Sequence, residues 1–431
     1  MKTRFFPLIV LSLLAFMGCE QQVSETVTYV INEPIVMEAS VFRNSVKVSK
    51  APHELTGYGK MSYYNGYLFM SDPEKGIHII DNQNPSNPQL VAYIELLGNA
   101  DLSVRNNILY ADSYVDLVWF DITDPANPEL KGRLENAFMG VLPAVTNTSA
   151  IDQKLCDEEQ QNNKIIVGWK EVTRTEEVED YWSRGGFWGW VRNGLTSPGG
   201  KDFVEAGAAA SGNSINGSMS RFVIYKDYLY SVMHSQIMIF DLSGAAPVQA
   251  ADKVYTSWEV ETIFNYGDYM YLGTPGGMII YSVEDPLKPE ALSAIMHVYG
   301  CDPVVVEDDV AYVTIHSGNA CGPDSDELIL IDVKDKRNPK QIMSYDMTYP
   351  KGLGIDNKTL FVCDEGLKIF DANYPLDLLS HQLAHYTGMA GYDVIPFNTT
   401  LMMIAEEGIY QYDYSQLNAI RQLSFLPVKA E

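Results

Sequence analysis

The chain is short of positive charge. Thirty Lys and Arg residues stand against 56 Asp and Glu over 431 residues, a formal net charge of −26. Neutralising a nucleic-acid backbone takes clusters of Lys and Arg, and no such cluster occurs, so a nucleic-acid partner is excluded. Long apolar runs are scarce too: one occupies residues 5–17, and nothing after it approaches the ~20 residues of a membrane-spanning helix. Signatures of catalysis are missing as well. There is no Gly-x-Ser-x-Gly elbow, no glycine-rich phosphate loop and no EF-hand spacing. Metal-like spacing occurs once, in HQLAH at His381 and His385, where Gln382 replaces the glutamate a zinc protease needs and the context reads as a strand. His53, His78, His234, His297 and His316 are isolated. Neither a metal nor a cofactor is expected.

What is present begins at the N-terminus. Lys2 and Arg4 precede the apolar run, and Gly18-Cys19 follows it, the arrangement of a signal peptide over residues 1–18. FMGC resembles the lipobox of bacterial lipoproteins, which implies a diacylated Cys19 as the new N-terminus. Two or three acyl chains hold firmly where one does not. Glu20 in place of aspartate favours the outer membrane, with residues 19–41 as a lipidated tether, and acidity suits an exported surface.

One phrase recurs seven times: an aromatic-rich strand, a turn, a second strand, then Asp and a proline-bearing turn. Its second strands close at Asp81, Asp121, Asp241, Ser282, Asp332, Asp371 and Asp413, with spacings of 40, 120, 41, 50, 39 and 42. Four short strands fill about forty residues, the size of a propeller blade. Helical repeats are excluded, because the segments are short, rich in Tyr, Phe, Ile and Val, and broken by Gly and Pro. The expected fold is therefore all-β, a seven-bladed β-propeller over residues 42–431. Eight blades is the alternative if a degenerate unit hides around residues 165–169. The recurrent aspartates read as turn builders, since Asp accepts a backbone N–H two residues on, and Ser282 can do the same. One terminus is expected to complete a blade begun by the other.

The phrases LVWFDITDPANP and LILIDVKDKRNP resemble the LVIVD repeat, a propeller-type unit of exported bacterial proteins, especially from Bacteroidota. The stretches at residues 301–321 and 217–232 resemble its signature segments. The resemblance implies an envelope or surface lipoprotein and brings no agreed catalytic set. It also sharpens one pairing: an oxidising compartment permits a disulfide, and Cys301 and Cys321 flank the first strand of the fifth unit. Cys363, mid-strand, reads as a buried thiol.

The spacing of 120 marks an insertion at residues 142–216 after the second blade. Its first half, around residues 163–181, reads as a strand extending the second blade's edge, and residues 197–217 read as small, Gly-rich and flexible. Between them lies YWSRGGFWGWVRNG, with Trp182, Phe187, Trp188 and Trp190 as candidate binding residues for a protein or glycan. Contact with the lipid interface, or a cap that plugs the central channel, are the other readings of the segment. A binding or scaffolding module with an unknown ligand is the expected function. A glycan-acting propeller enzyme is the alternative, with carboxylates from separate blades. Asp72, Glu74, Asp364, Glu365, Glu406 and Glu407 are acidic candidates in turns, expected on the solvated surface.

Overall fold

Each repeated phrase folds into the second and third strands of one antiparallel blade. The computed structural model describes residues 26–50, 53–177, 204–205, 213–296, 303–317 and 325–429. Seven sheets form in sequence order, each running outward from a common axis. Their axial strands are Met61–Tyr64, Leu102–Arg105, Phe222–Tyr225, Thr262–Tyr266, Val304–Glu307, Leu353–Asp356 and Gly391–Phe397. The protein is a seven-bladed β-propeller. The eighth unit does not exist: Ile165 and Trp169 belong to the strand Lys164–Glu177, which pairs along its whole length with Thr26–Glu38. That strand does not extend blade 2, whose edge is Glu129–Leu134. The expected tether is likewise strand from Thr26 onward and the short helix Ala39–Arg43.

Blade strands are apolar on both faces because both faces are covered. In blade 1, Ile77 and Ile79 pack into the core shared with blade 2, whereas Ile80 points into the core shared with blade 7. Alternation is therefore lost and the strand reads as a continuous apolar run. Asn-rich turns join the first and second strands: Asn65, Asn106, Asn107, Asn357 and Asn398 all have left-handed φ, the conformation that two-residue hairpins require and Asn tolerates.

The closing Asp does the same work in every blade. Its Oδ1 accepts the N–H two residues on: Gln83 at 3.0 Å, Thr123 at 2.9 Å, Ser243 at 2.7 Å, Lys334 at 2.9 Å, Asn373 at 3.0 Å and Ser415 at 2.9 Å. Ser282 makes the equivalent bond to Glu284 N at 3.4 Å. The bonds from Ser415 hold the Asp413 carboxyl down at about 2. In each blade, the N–H after this residue also donates to the first turn, as Asn82 N does to Gly66 O at 2.8 Å and Tyr414 N to Thr399 O at 2.9 Å. The two bonds fasten the outer turn to the inner hairpin.

Ring closure departs from expectation. Blade 7 builds all four of its strands from the C-terminal unit, ending at Arg421–Pro427, and blade 1 builds its own four, with Lys47–Ser49 added outside as an extra edge strand. No strand is shared, because LNAIRQLSFLPV supplies a complete fourth strand. Side chains and turns close the seam instead. Asn82 Nδ2 donates to Gln411 Oε1 at 3.0 Å, and Gln411 Nε2 returns a bond to Asn82 Oδ1 at 2.6 Å, both residues being buried. Ser424 Oγ donates to Pro85 O at 2.6 Å, and Lys429 N to Leu55 O at 2.8 Å.

Replacing one half of this amide pair strands the other in the core. Gln411→Leu is expected to lower stability by about 1–3 kcal/mol, whereas Asn82→Leu combined with Gln411→Leu costs less than the two single losses added. Thermal melts of the three variants check this. Additive losses would show that the pair does not couple the blades.

Candidate functional site

The propeller axis is where chemistry would be expected, and the chain fills it with itself. Residues 213–220, SerAsn-rich and small (NSINGSMS), lie inside the ring of axial strands. Ile215–Asn216 pairs with Ser62 and Tyr63 of blade 1, and Gly217 N donates to Met61 O at 3.1 Å. On blade 2, Ser214 N donates to Val104 O at 2.7 Å and its Oγ accepts from Val104 N at 2.8 Å. Asn216 Nδ2 donates to Phe222 O of blade 3 at 2.9 Å, Ile263 N of blade 4 donates to Ser220 O at 2.9 Å, and Leu353 N of blade 6 donates to Ser218 Oγ at 3.2 Å. Met219 supplies the apolar contact, packed with Met61, Tyr392 and Ile395. Short polar side chains suit this position because they satisfy exposed backbone in a space too narrow for large ones. The flexible stretch expected up to residue 217 is thus ordered and buried from residue 213. Val204–Glu205 runs antiparallel to Ser218–Met219 as a second limb.

A buried polar network ties this plug to blades 1, 2 and 3. Lys60 Nζ lies 2.9 Å from Asp101 Oδ2, with side chains 5% and 1% exposed. Asp101 also accepts from Leu102 N at 2.8 Å, from Ser220 Oγ at 3.1 Å and from Arg221 N. Asp112 Oδ1 accepts from Ala100 N at 2.7 Å, Asp101 N at 2.9 Å and Asn99 Nδ2 at 3.1 Å, and Ser71 Oγ donates to Asn99 Oδ1 at 2.7 Å. Burial pulls the Lys60 ammonium down to about 8 against the attraction of Asp101. Burial also pushes the Asp112 carboxyl up to about 6, with the Ala100 and Asp101 N–H groups opposing it. Strongly shifted groups near an axis mark a candidate site. Here the carboxylate oxygens that face Ser220 and the neighbouring amides are engaged, and the network's evident work is to hold plug and blades together.

A lid stands on the turns at the same end of blades 1 and 2. It is made of the paired strands Thr26–Glu38 and Lys164–Glu177, the helix Gln153–Gln161 and the connecting chain. Asp116, fully buried, holds it: Arg43 Nε and Arg133 Nη1 each lie 2.9 Å from Asp116 Oδ2, and Asn136 N donates to Oδ1 at 2.8 Å. Glu74 accepts from Ala144 N at 2.8 Å, and Tyr114 Oη reaches Val167 O at 3.3 Å.

Most sequence candidates do not meet one another. Asp72 and Asp364 are not on the solvated surface; each is 1% exposed, Asp72 bound to Thr56 Oγ1 at 2.9 Å and Asp364 to Tyr349 N at 2.8 Å and Lys368 Nζ at 2.6 Å. Turn position alone misled, because loops of neighbouring blades and the lid cover these turns. Glu365, Glu406 and Glu407 are exposed, in blades 6 and 7. His381 stacks on Tyr374 at 3.8 Å while His385 binds Glu365 O at 3.1 Å, and among the described residues no group of three or more metal-ligating side chains forms. Cys363 is buried. Cys19, Trp182, Phe187, Trp188, Trp190, Cys301 and Cys321 lie outside the described residues. Lys60, Asp101 and Asp112 escaped the sequence reading; for the first two the one available signal was a charged residue directly before the axial strand, as in GKMSYY and ADLSV.

No family model and no curated protein matches the chain. Among solved structures it is similar to the periplasmic gluconolactonase PpgL of Pseudomonas aeruginosa, with a TM-score of 0.52 and 9% sequence identity over 86% of this chain and 97% of that one. At that identity the likeness concerns the propeller fold alone.

The buried network has a pH signature. The folded chain keeps the Asp112 proton up to about 6, whereas the unfolded chain releases it near 3.8, so this stabilisation is full below the lower value and lost as pH rises through the higher. Lys60 acts at the other side: its contribution is present above 10.5 and lost as pH falls through about 8. Asp112→Asn is expected to remove the acidic slope only. The stability difference between wild type and variant should change by ~3 kcal/mol between pH 3.5 and pH 7, and a flat difference in urea titrations would contradict the assignment.

Proposed function

We propose that this chain is an outer-membrane lipoprotein of the LVIVD-repeat type whose propeller is a binding or scaffolding module. The observation that carries the reading is the axial plug: residues 213–220 bond to blades 1, 2, 3, 4 and 6, so the channel that could hold a substrate is occupied by the chain's own backbone. The acidic candidates for glycan cleavage also sit apart, on blades 1, 6 and 7, and two of them are consumed by local bonds. Recognition then belongs to the exposed turns and to the aromatic residues Trp182, Phe187, Trp188 and Trp190.

Lipidation at Cys19 would orient the molecule. Six residues separate Cys19 from the lid strand that starts at Thr26, a reach of at most ~25 Å. The lid end of the propeller would face the membrane and the opposite end would face away. Cys19→Ala should release the protein from the membrane fraction; unchanged sedimentation with membranes would sink the anchor. For recognition, Trp188→Ala with Trp190→Ala should abolish capture of a protein or glycan partner with the melting temperature nearly unchanged. A large drop in melting temperature would assign these residues to covering the propeller instead.

A further inference from the structure

The seam between blades 1 and 7 opens into a cleft of about 320 Å³ at the end of the axial strands away from the lid. It lies across the molecule from Lys60, Asp101 and Asp112, which precede or flank the other end of those strands. Asn82 and Met402 form its floor, both buried. Tyr63 and Phe397 form a wall, their rings 4.9 Å apart at 42°, and Gln83, Asn398 and Thr400 stand at the rim. The floor is fixed, because Asn82 is locked to Gln411 by two hydrogen bonds. The mouth is kept open by Gly66, whose φ is +83° and where a Cβ would come within 2.9 Å of Gln83 Cγ.

The lining is unusual for this chain. One residue in five is charged, yet none of the lining side chains is an acid, a lysine, an arginine or a histidine. An ionic ligand would find no counter-charge there, and the surrounding negative charge disfavours an anion further. Aromatic faces beside amides and a hydroxyl offer apolar stacking together with groups that both donate and accept. That combination matches a pyranose, which has apolar C–H faces and a rim of hydroxyls. A peptide strand would instead seek an unpaired sheet edge, and Tyr63, the blade 1 aromatic of the cleft, lies on a strand bonded on both sides, to Tyr67–Asp72 and to Ile215–Asn216.

We propose that the cleft between blades 1 and 7 binds an uncharged saccharide, with Tyr63 and Phe397 against the sugar face and Gln83 and Asn398 on its hydroxyls. The site deepens the binding-module reading and rests on it. A sugar held there touches the first and last blades at once, so occupancy adds a contact across the closing seam, and binding to the folded state alone raises the melting temperature.

The test is a thermal-shift and calorimetric titration of the mature protein with a panel of uncharged oligosaccharides built from glucose, mannose, galactose or N-acetylglucosamine. At least one should raise the melting temperature in a dose-dependent way. Tyr63→Ala should weaken that sugar at least tenfold, and Gln83→Ala, an exposed position that leaves the fold intact, at least threefold; Tyr255→Ser, at an exposed edge-strand position of blade 3, should bind as wild type does. No shift with any sugar overturns the inference, as does binding that survives both cleft variants. In either case a protein captured from the native envelope by the wild type would leave the binding-module reading standing.

Discussion

The structure depends on how the two ends of the chain meet. A ring of seven sheets is only as stable as its last seam, and here that seam is formed without exchange of a strand between the first and last blades. Its polar centre is a reciprocal amide pair, Asn82 with Gln411, buried where neither could be left alone. Around it, Leu55, Met61, Ile80, Ile395 and Met402 form an apolar core comparable to those between other blades. Closure by side chains permits what a shared strand would prevent, a gap wide enough to receive a small molecule at one end of the seam.

Four of the other seams, from blade 3 round to blade 7, are bonded in a repeating manner. A hydroxyl reaches a carbonyl of the next blade: Tyr230 to Pro286, Ser293 to Lys336, Tyr345 to Pro375 and Tyr386 to Ile420, all at 2.6–2.7 Å, and Ser424 to Pro85 completes the series across the closing seam. In the five accepting blades the turn after the closing Asp or Ser is therefore both a local bend and the neighbour's docking point.

Most of the architecture was legible because it repeats. Seven copies of a strand-turn-strand phrase, spaced near forty residues and punctuated by Asp81, Asp121 and their equivalents, carry blade number and strand order on their face. What did not repeat could not be read this way. The pairing of Thr26–Glu38 with Lys164–Glu177 joins segments more than a hundred residues apart, and neither contains a partner-specific signal. The plug was misjudged for a related reason: Ser, Gly and Asn suggest a flexible linker when read alone, and the same small polar residues are what a narrow, hydrogen-bond-rich channel accepts. Asp72 and Asp364 show the limit again, since a turn's exposure is decided by whatever packs over it. The Lys60–Asp101–Asp112 network is assembled from residues just ahead of blades 1 and 2 and from the second strand of blade 2, and only the ring brings them together.

The antiparallel limb Val204–Glu205 beside Ser218–Met219 carries one more consequence. It lines the plug on one edge, and blade 3 begins directly beyond the plug at Phe222. Residues 213–220 therefore act as a hub as well as a filling: blades 1, 2, 3, 4 and 6 are bridged through the middle of the ring in addition to their contacts around its rim, so neighbours that share no strand still share a bonded segment.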